Sequence, residues 1–239
     1  MRFSTELYEA SRPIFAATLA HPFLQGIAQG ELPRDALVRY VQQDELYLTT
    51  YCRVYAKALA CADTDEHMRD FYDRVGLLLE GEHEAHENLL QVAAVRPDER
   101  GAMVEKLPTL HHYESHLLAV AATSDFGAII AAILPCHWLY VDLARRIVDE
   151  VQPTADHPFS AWLSFYASDD MKDSLDRLLV MVDKRAALAN TEARAFMRAA
   201  YMESCYLEYR FFDMAYRGES WLPQTTANGA LAGGRDRHV

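Results

Sequence analysis

From Leu37 to Tyr55, apolar side chains return at every third or fourth position: Leu37, Tyr40, Val41, Tyr47, Leu48, Tyr51 and Tyr55. That spacing lines one face of an α-helix, whose residues turn by about 100° each. The same period recurs along most of the chain, and no stretch alternates convincingly as a strand would. Thr64 to Val95 predicts a second long helix, with acids in its first turn where the helix dipole favours them. Asp125 is placed to cap a third, running to about Glu150. Phe159, Trp162, Leu163 and Tyr166 mark a short one, and the last runs from about Thr191 to Tyr216, stopping at Gly218. Pro and Gly fall between these segments, in loops too short to separate domains. The expected architecture is an all-α, multi-helix bundle in one domain, residues 1–222. The Gly/Ala-rich stretch 223–239 is expected to be a disordered tail.

Charge and cysteine usage narrow the function. A net charge of −12 disfavours nucleic acid, whose phosphates demand basic surface. No apolar run is read as reaching the roughly 18 residues of a membrane span, and the first residues lack a signal core. Cys52, Cys61, Cys136 and Cys205 show no C-x-x-C spacing, so they are read as reduced thiols of a cytoplasmic protein. A small-molecule substrate fits best.

Three reactive side chains break the apolar pattern by lying inside it. With Asp44 at zero on a helical wheel, its apolar and tyrosine neighbours all fall within roughly 60°. A carboxylate at the centre of such a face must be paired or hydrogen-bonded, because burying it alone is costly. Cys136 is ringed by Ile129, Ala132, Ile133, Leu139, Tyr140, Leu143 and Ile147. Glu208 shares its face with Met197, Tyr201, Ser204, Cys205, Phe211, Phe212 and Ala215. Singly, each has a structural explanation: a buried cysteine acts as a small hydrophobe, and an inward acid pairs with an arginine or the backbone. Their coincidence on three helices suggests a ligand site between facing helices. Pro135, beside the thiol, removes a backbone donor within a helical stretch. It is expected either to aim Cys136 or to free the carbonyl of Ala131.

The run "EGEHEAHENLL" carries Glu80, Glu82, His83, Glu84, His86 and Glu87. Glu80 and His83 have the Glu-x-x-His spacing of carboxylate-bridged metal sites, which need a matching motif on a second helix. The sequence has no clean match, so the run is read as a solvated face and no metal is assigned. His21, His111, His112 and His116 are read as lying at or near helix boundaries, without a signal.

Six segments in order, "HPFLQGIAQGELP", "YVQQDELYLTTY", "HYESHL", "LPCHWLY", "WLSFYAS" and "YLEYRFFDMAY", resemble the TenA family, the thiaminase II or aminopyrimidine aminohydrolases. The resemblance runs from about residue 3 to Trp221. It implies a haem-oxygenase-like helical bundle, commonly a homotetramer, that hydrolyses an aminopyrimidine in thiamine salvage or cleaves thiamine itself, without a cofactor. It also implies roles: Cys136 as nucleophile, Glu208 as catalytic acid and base, Asp44 as ring-binding carboxylate, and Tyr47, Tyr113, Tyr140 and Tyr166 as pocket walls. Many relatives carry Phe-Trp where this chain has Phe211-Phe212, so pocket shape is expected to differ. Two rival readings on the same fold are a haem-oxygenase-like metal-dependent oxidase and a non-catalytic pyrimidine-binding regulator.

Overall fold

The computed structural model describes residues 1–80, 83–96, 104–123 and 125–222, and the proposed tail lies outside them. The described residues form ten helices and no strand. They are α1 (Phe3–Leu19), α2 (Pro22–Gln29), α3 (Arg34–Cys61), α4 (Asp65–Glu80), α5 (His83–Val92), α6 (Pro108–Ala122), α7 (Phe126–Val151), α8 (Ser160–Ala167), α9 (Asp169–Leu188) and α10 (Thr191–Arg217). The stretch expected to form one helix from Thr64 to Val95 therefore contains two, with residues 81–82 outside the described part.

Helix ends follow local chemistry. Asp125 accepts from Ala128 N at 3.1 Å, Ser168 from Met171 N at 3.3 Å and Asn190 from Ala193 N at 2.8 Å. Each satisfies a donor that the first turn leaves open. The tripeptide His-Pro-Phe occurs twice and does the same work each time. His21 Nδ1 accepts from Phe23 N at 3.1 Å, and His157 Nδ1 from Phe159 N at 3.2 Å. The second ring also donates through Nε2 to the Ala28 carbonyl, tying α2 to the turn before α8. Glycine ends two helices in the left-handed region, Gly30 at φ 76° and Gly218 at φ 77°.

α7 and α10 pack against each other most extensively and form the centre. α3, α6 and α1 lean on α10, while α8 and α9 cover α7; α4 and α5 close over α3. α7 corrects one expectation, because it contains an 18-residue window long and apolar enough to cross a membrane. In this fold 78% of that window is buried by protein, as suits the central helix of a bundle. Pro135 does not interrupt it, and α7 runs continuously from Phe126 to Val151.

Two clamps fix the middle of α3. Gln43 donates from Nε2 to the Glu105 carbonyl at 3.0 Å and accepts from Leu107 N at 2.9 Å. Thr50 donates to Glu114 at 2.9 Å, and Lys106 pairs with the other oxygen of that carboxylate. His116 corrects another expectation: it lies well inside α6, buried, with Nε2 3.0 Å from Ser204 Oγ on α10.

Candidate active site

A cavity of about 630 Å³ opens between α3, α4, α6, α7, α8, α9 and α10. Asp44, Tyr47, Tyr113, Cys136, Tyr140, Tyr166 and Glu208 all line it. The expected nucleophile, acid, ring-binding carboxylate and four wall tyrosines thus reach one space, from five helices.

Glu208 is the electrostatic centre. It is 2% exposed, and Tyr113 donates to its Oε1 at 2.6 Å. Cys136 and Asp44 both lie close enough to act on the carboxyl, the thiol favouring its charge and the second acid repelling it. Burial dominates and the Asp44 charge adds to it, outweighing Tyr113 and the thiol and pushing the Glu208 pKa up to about 8. The group is therefore largely protonated at neutral pH.

Asp44 is 6% exposed on α3, and the sequence demands a partner for it. The structure supplies His86 on α5, whose Nε2 lies 2.7 Å from Asp44 Oδ2. His86 stands in the acidic run read above as a solvated face, yet it is itself 6% exposed. The missed signal was the unpaired acid on α3, since nothing in the local pattern of α5 separates His86 from its charged neighbours. The Glu80–His83 pair expected to decide for or against metal involves side chains outside the described residues.

Tyrosines form most of the wall. Tyr47, Tyr51 and Tyr55 step along α3 with centroid separations of 5.1 and 4.6 Å, and Tyr113 meets Tyr47 at 5.0 Å. Burial raises the pKa of all four, and the Cys136 charge would raise them further. They are neutral donors. Tyr55 donates to Tyr51 at 3.3 Å, and Tyr51 donates to the Ile133 carbonyl at 2.8 Å. That carbonyl, rather than the Ala131 oxygen singled out from the sequence, is the one near Pro135 with a side-chain partner. The Tyr47 hydroxyl is buried without a hydrogen-bond partner among the described residues.

On the opposite wall Tyr140 meets Tyr40, hydroxyl to hydroxyl, at 2.6 Å. Tyr166 packs 4.9 Å from both Tyr140 and Trp162. Phe211 lines the cavity. Phe212 does not: fully buried, it stacks on Tyr40 at 5.8 Å and abuts Tyr140 at 5.6 Å from behind. It reaches the pocket only through those rings.

The outer part of the cavity was not foreseen. Arg74, 4% exposed, donates to Asp70 at 2.6 Å and to the Ser174 carbonyl at 2.8 Å, while Arg177 takes the other oxygen of Asp70 at 2.7 Å. His137 is half-buried near Arg74 and donates to the Met171 carbonyl. Burial, reinforced by the arginine charge, lowers its pKa to about 4, so it is neutral.

A thiol, two inward carboxyls and a wall of tyrosines around one cavity define a helical-bundle protein with a ligand site between its facing helices. The chain belongs to the TENA/THI-4/PQQC family, whose model it matches over residues 8–218. It is 32% identical over 222 residues to a protein of Halalkalibacterium halodurans named aminopyrimidine aminohydrolase, covering 92% of this chain and 98% of that one. It is also 32% identical over 228 residues to the Bacillus subtilis protein of the same name, covering 92% of each. Among solved structures, a TenA homologue from P. horikoshii superposes with a TM-score of 0.80 at 22% identity, over 91% of this chain and all of that one. A Shewanella denitrificans domain with a haem-oxygenase-like fold aligns at a TM-score of 0.64 and 14% identity, over 89% of this chain and 91% of that one. The fold is the haem-oxygenase-like bundle.

Proposed function

We propose that this chain is an aminopyrimidine aminohydrolase of thiamine salvage. It would convert 4-amino-5-aminomethyl-2-methylpyrimidine and water to the 5-hydroxymethyl compound and ammonia. The observation that carries the reading is the joint placement of Cys136, Glu208 and Asp44 on one cavity.

Direct displacement of an amine by water is slow, and a covalent step divides the barrier. Cys136 gives its thiol proton to a ring nitrogen, from which it returns when the C–S bond later breaks, and its sulfur adds to the ring carbon next to that nitrogen. The electron pair moves toward C5 and expels the amine, which takes a proton from Glu208, leaving an exocyclic methylene. Water gives a proton to Glu208 as its oxygen bonds to that methylene. The C–S bond then breaks, returning the pair to sulfur and aromaticity to the ring. Asp44 binds the amidine-like edge and favours the protonated, electrophilic ring. Tyr47, Tyr113, Tyr140 and Tyr166 hold the ring by stacking and edge contacts.

A cavity of about 630 Å³ exceeds the needs of one pyrimidine ring. Thiamine is accordingly a second candidate substrate, with the amine expected to turn over faster. The reading includes a cytoplasmic homotetramer. Four free cysteines suit a reducing compartment, and exposed apolar side chains such as Tyr72 and Leu79 on α4 suit a covered surface.

The test is product detection after incubation with the aminomethylpyrimidine, with Cys136→Ala beside the wild type. Ammonia and hydroxymethylpyrimidine from the wild type, with loss of turnover by orders of magnitude in a folded variant, support the reading. Binding without turnover in the wild type would make the protein a pyrimidine-binding regulator, and near-wild-type turnover in Cys136→Ala would refute a nucleophilic thiol.

A further inference from the structure

We propose that His86 is a positioning residue, which holds the Asp44 carboxyl in one orientation so that its other oxygen can receive the substrate. The inference rests on the reading of Asp44 as the group that binds the pyrimidine edge.

The geometry gives the argument three parts. First, the bond is short and internal: His86 Nε2 donates to Asp44 Oδ2 at 2.7 Å, between side chains that are each 6% exposed. A hydrogen bond to a charged group in such surroundings is worth more than one at the surface. With Oδ2 occupied, Oδ1 is the oxygen left for a ligand. Second, Asp44 needs the support. It shares the cavity with Glu208, whose carboxyl it lies close enough to influence. A side chain held by nothing else could turn away, and it would then bind a protonated amidine edge poorly. Third, α5 is anchored to α3 on one side and to α8 and the turn before it on the other. Asn88, two residues after His86, donates to the Pro158 carbonyl at 2.9 Å and accepts from Trp162 N at 3.3 Å. Ala85, Leu89 and Leu90 bury the same helix. This ten-residue helix thus links the recognition carboxylate on α3 to α8, which carries Tyr166.

The decisive comparison is His86→Gln, which keeps a donor of similar reach, against His86→Met, which fills the space without one. Steady-state kinetics with 4-amino-5-aminomethyl-2-methylpyrimidine should show KM raised about 10–100-fold in the Met variant, the loss expected for one charge-assisted bond, with kcat within about threefold of wild type. The Gln variant should recover most of that loss. In an Asp44→Asn background, His86→Met should add less than about threefold, because the two residues act as a unit. If the Met variant does not fold, His86→Phe takes its place. Equal impairment of the Gln and Met variants, unchanged KM in both, or losses that multiply in the Asp44→Asn background would overturn the proposal. A wild-type protein without turnover would instead overturn the function proposed above, so the two failures are distinct.

Discussion

The reactive side chains divide into those whose pattern announces them and those whose partners do. Asp44, Cys136 and Glu208 were legible because each violates the apolar rule on its own helix, and one helical wheel per segment exposes them. His86 and Arg74 were not, because both are ordinary polar residues locally and become unusual only when a distant helix covers them. Tyr113 came from the resemblance alone, and its bond to Glu208 gives it a measurable consequence. Burial lifts the Glu208 pKa to about 8, and the Tyr113 hydroxyl opposes the lift by favouring the ionised form. If Glu208 must deliver a proton to the amine, kcat/KM should fall as pH rises through about 8. Tyr113→Phe should move that alkaline limb to higher pH, since it removes a donor to the carboxylate. Glu208→Gln should abolish most turnover while preserving binding. A pH–rate profile for each variant checks both expectations, and an unshifted limb in Tyr113→Phe would separate the limb from Glu208.

At the scale of elements, the sequence revealed the helical character and a few termini, since capping residues act locally: Asp125 and Gly218 stand where the spacing predicts. It did not reveal two helices within the stretch from Thr64 to Val95, which reads as one periodic segment. Nor did it show that α7 passes through Pro135 without a break. The missing N–H costs one ladder bond, and close packing in the bundle's centre supports the remainder. Gly30 offers a test of how local such endings are. It is left-handed at φ 76°, and a Cβ there would stand 3.1 Å from Pro158 Cδ. Gly30→Ala should lower stability by about 1–2 kcal/mol in urea unfolding. KM should not change, because Gly30 does not line the cavity.

For the whole molecule, packing order was beyond reach of the sequence: periodicity says which face is buried, never against which helix. The cost of building the site is visible at this scale. Glu208 has its pKa raised from 4.5 to about 8, so between those values the folded protein holds a proton that the unfolded chain has released. By linkage, the contribution of this group to stability is complete below about pH 4.5 and is lost as pH rises through about 8. Glu208→Gln should therefore raise Tm, and by more at pH 8.5 than at pH 5. Thermal melts across that range would check it, and a constant difference would mean that the glutamate's proton does not contribute.

The contact between Tyr166 and Trp162 has a practical side. Trp162 is fully buried 4.9 Å from a ring of the cavity wall, whereas Trp138 stacks on Tyr8 and Trp221 lies by His111. The protein thus carries one indole that adjoins the pocket and two that do not. A flat guest seated against Tyr166 should change the emission of the first alone, which makes occupancy readable by intrinsic fluorescence with no dye attached.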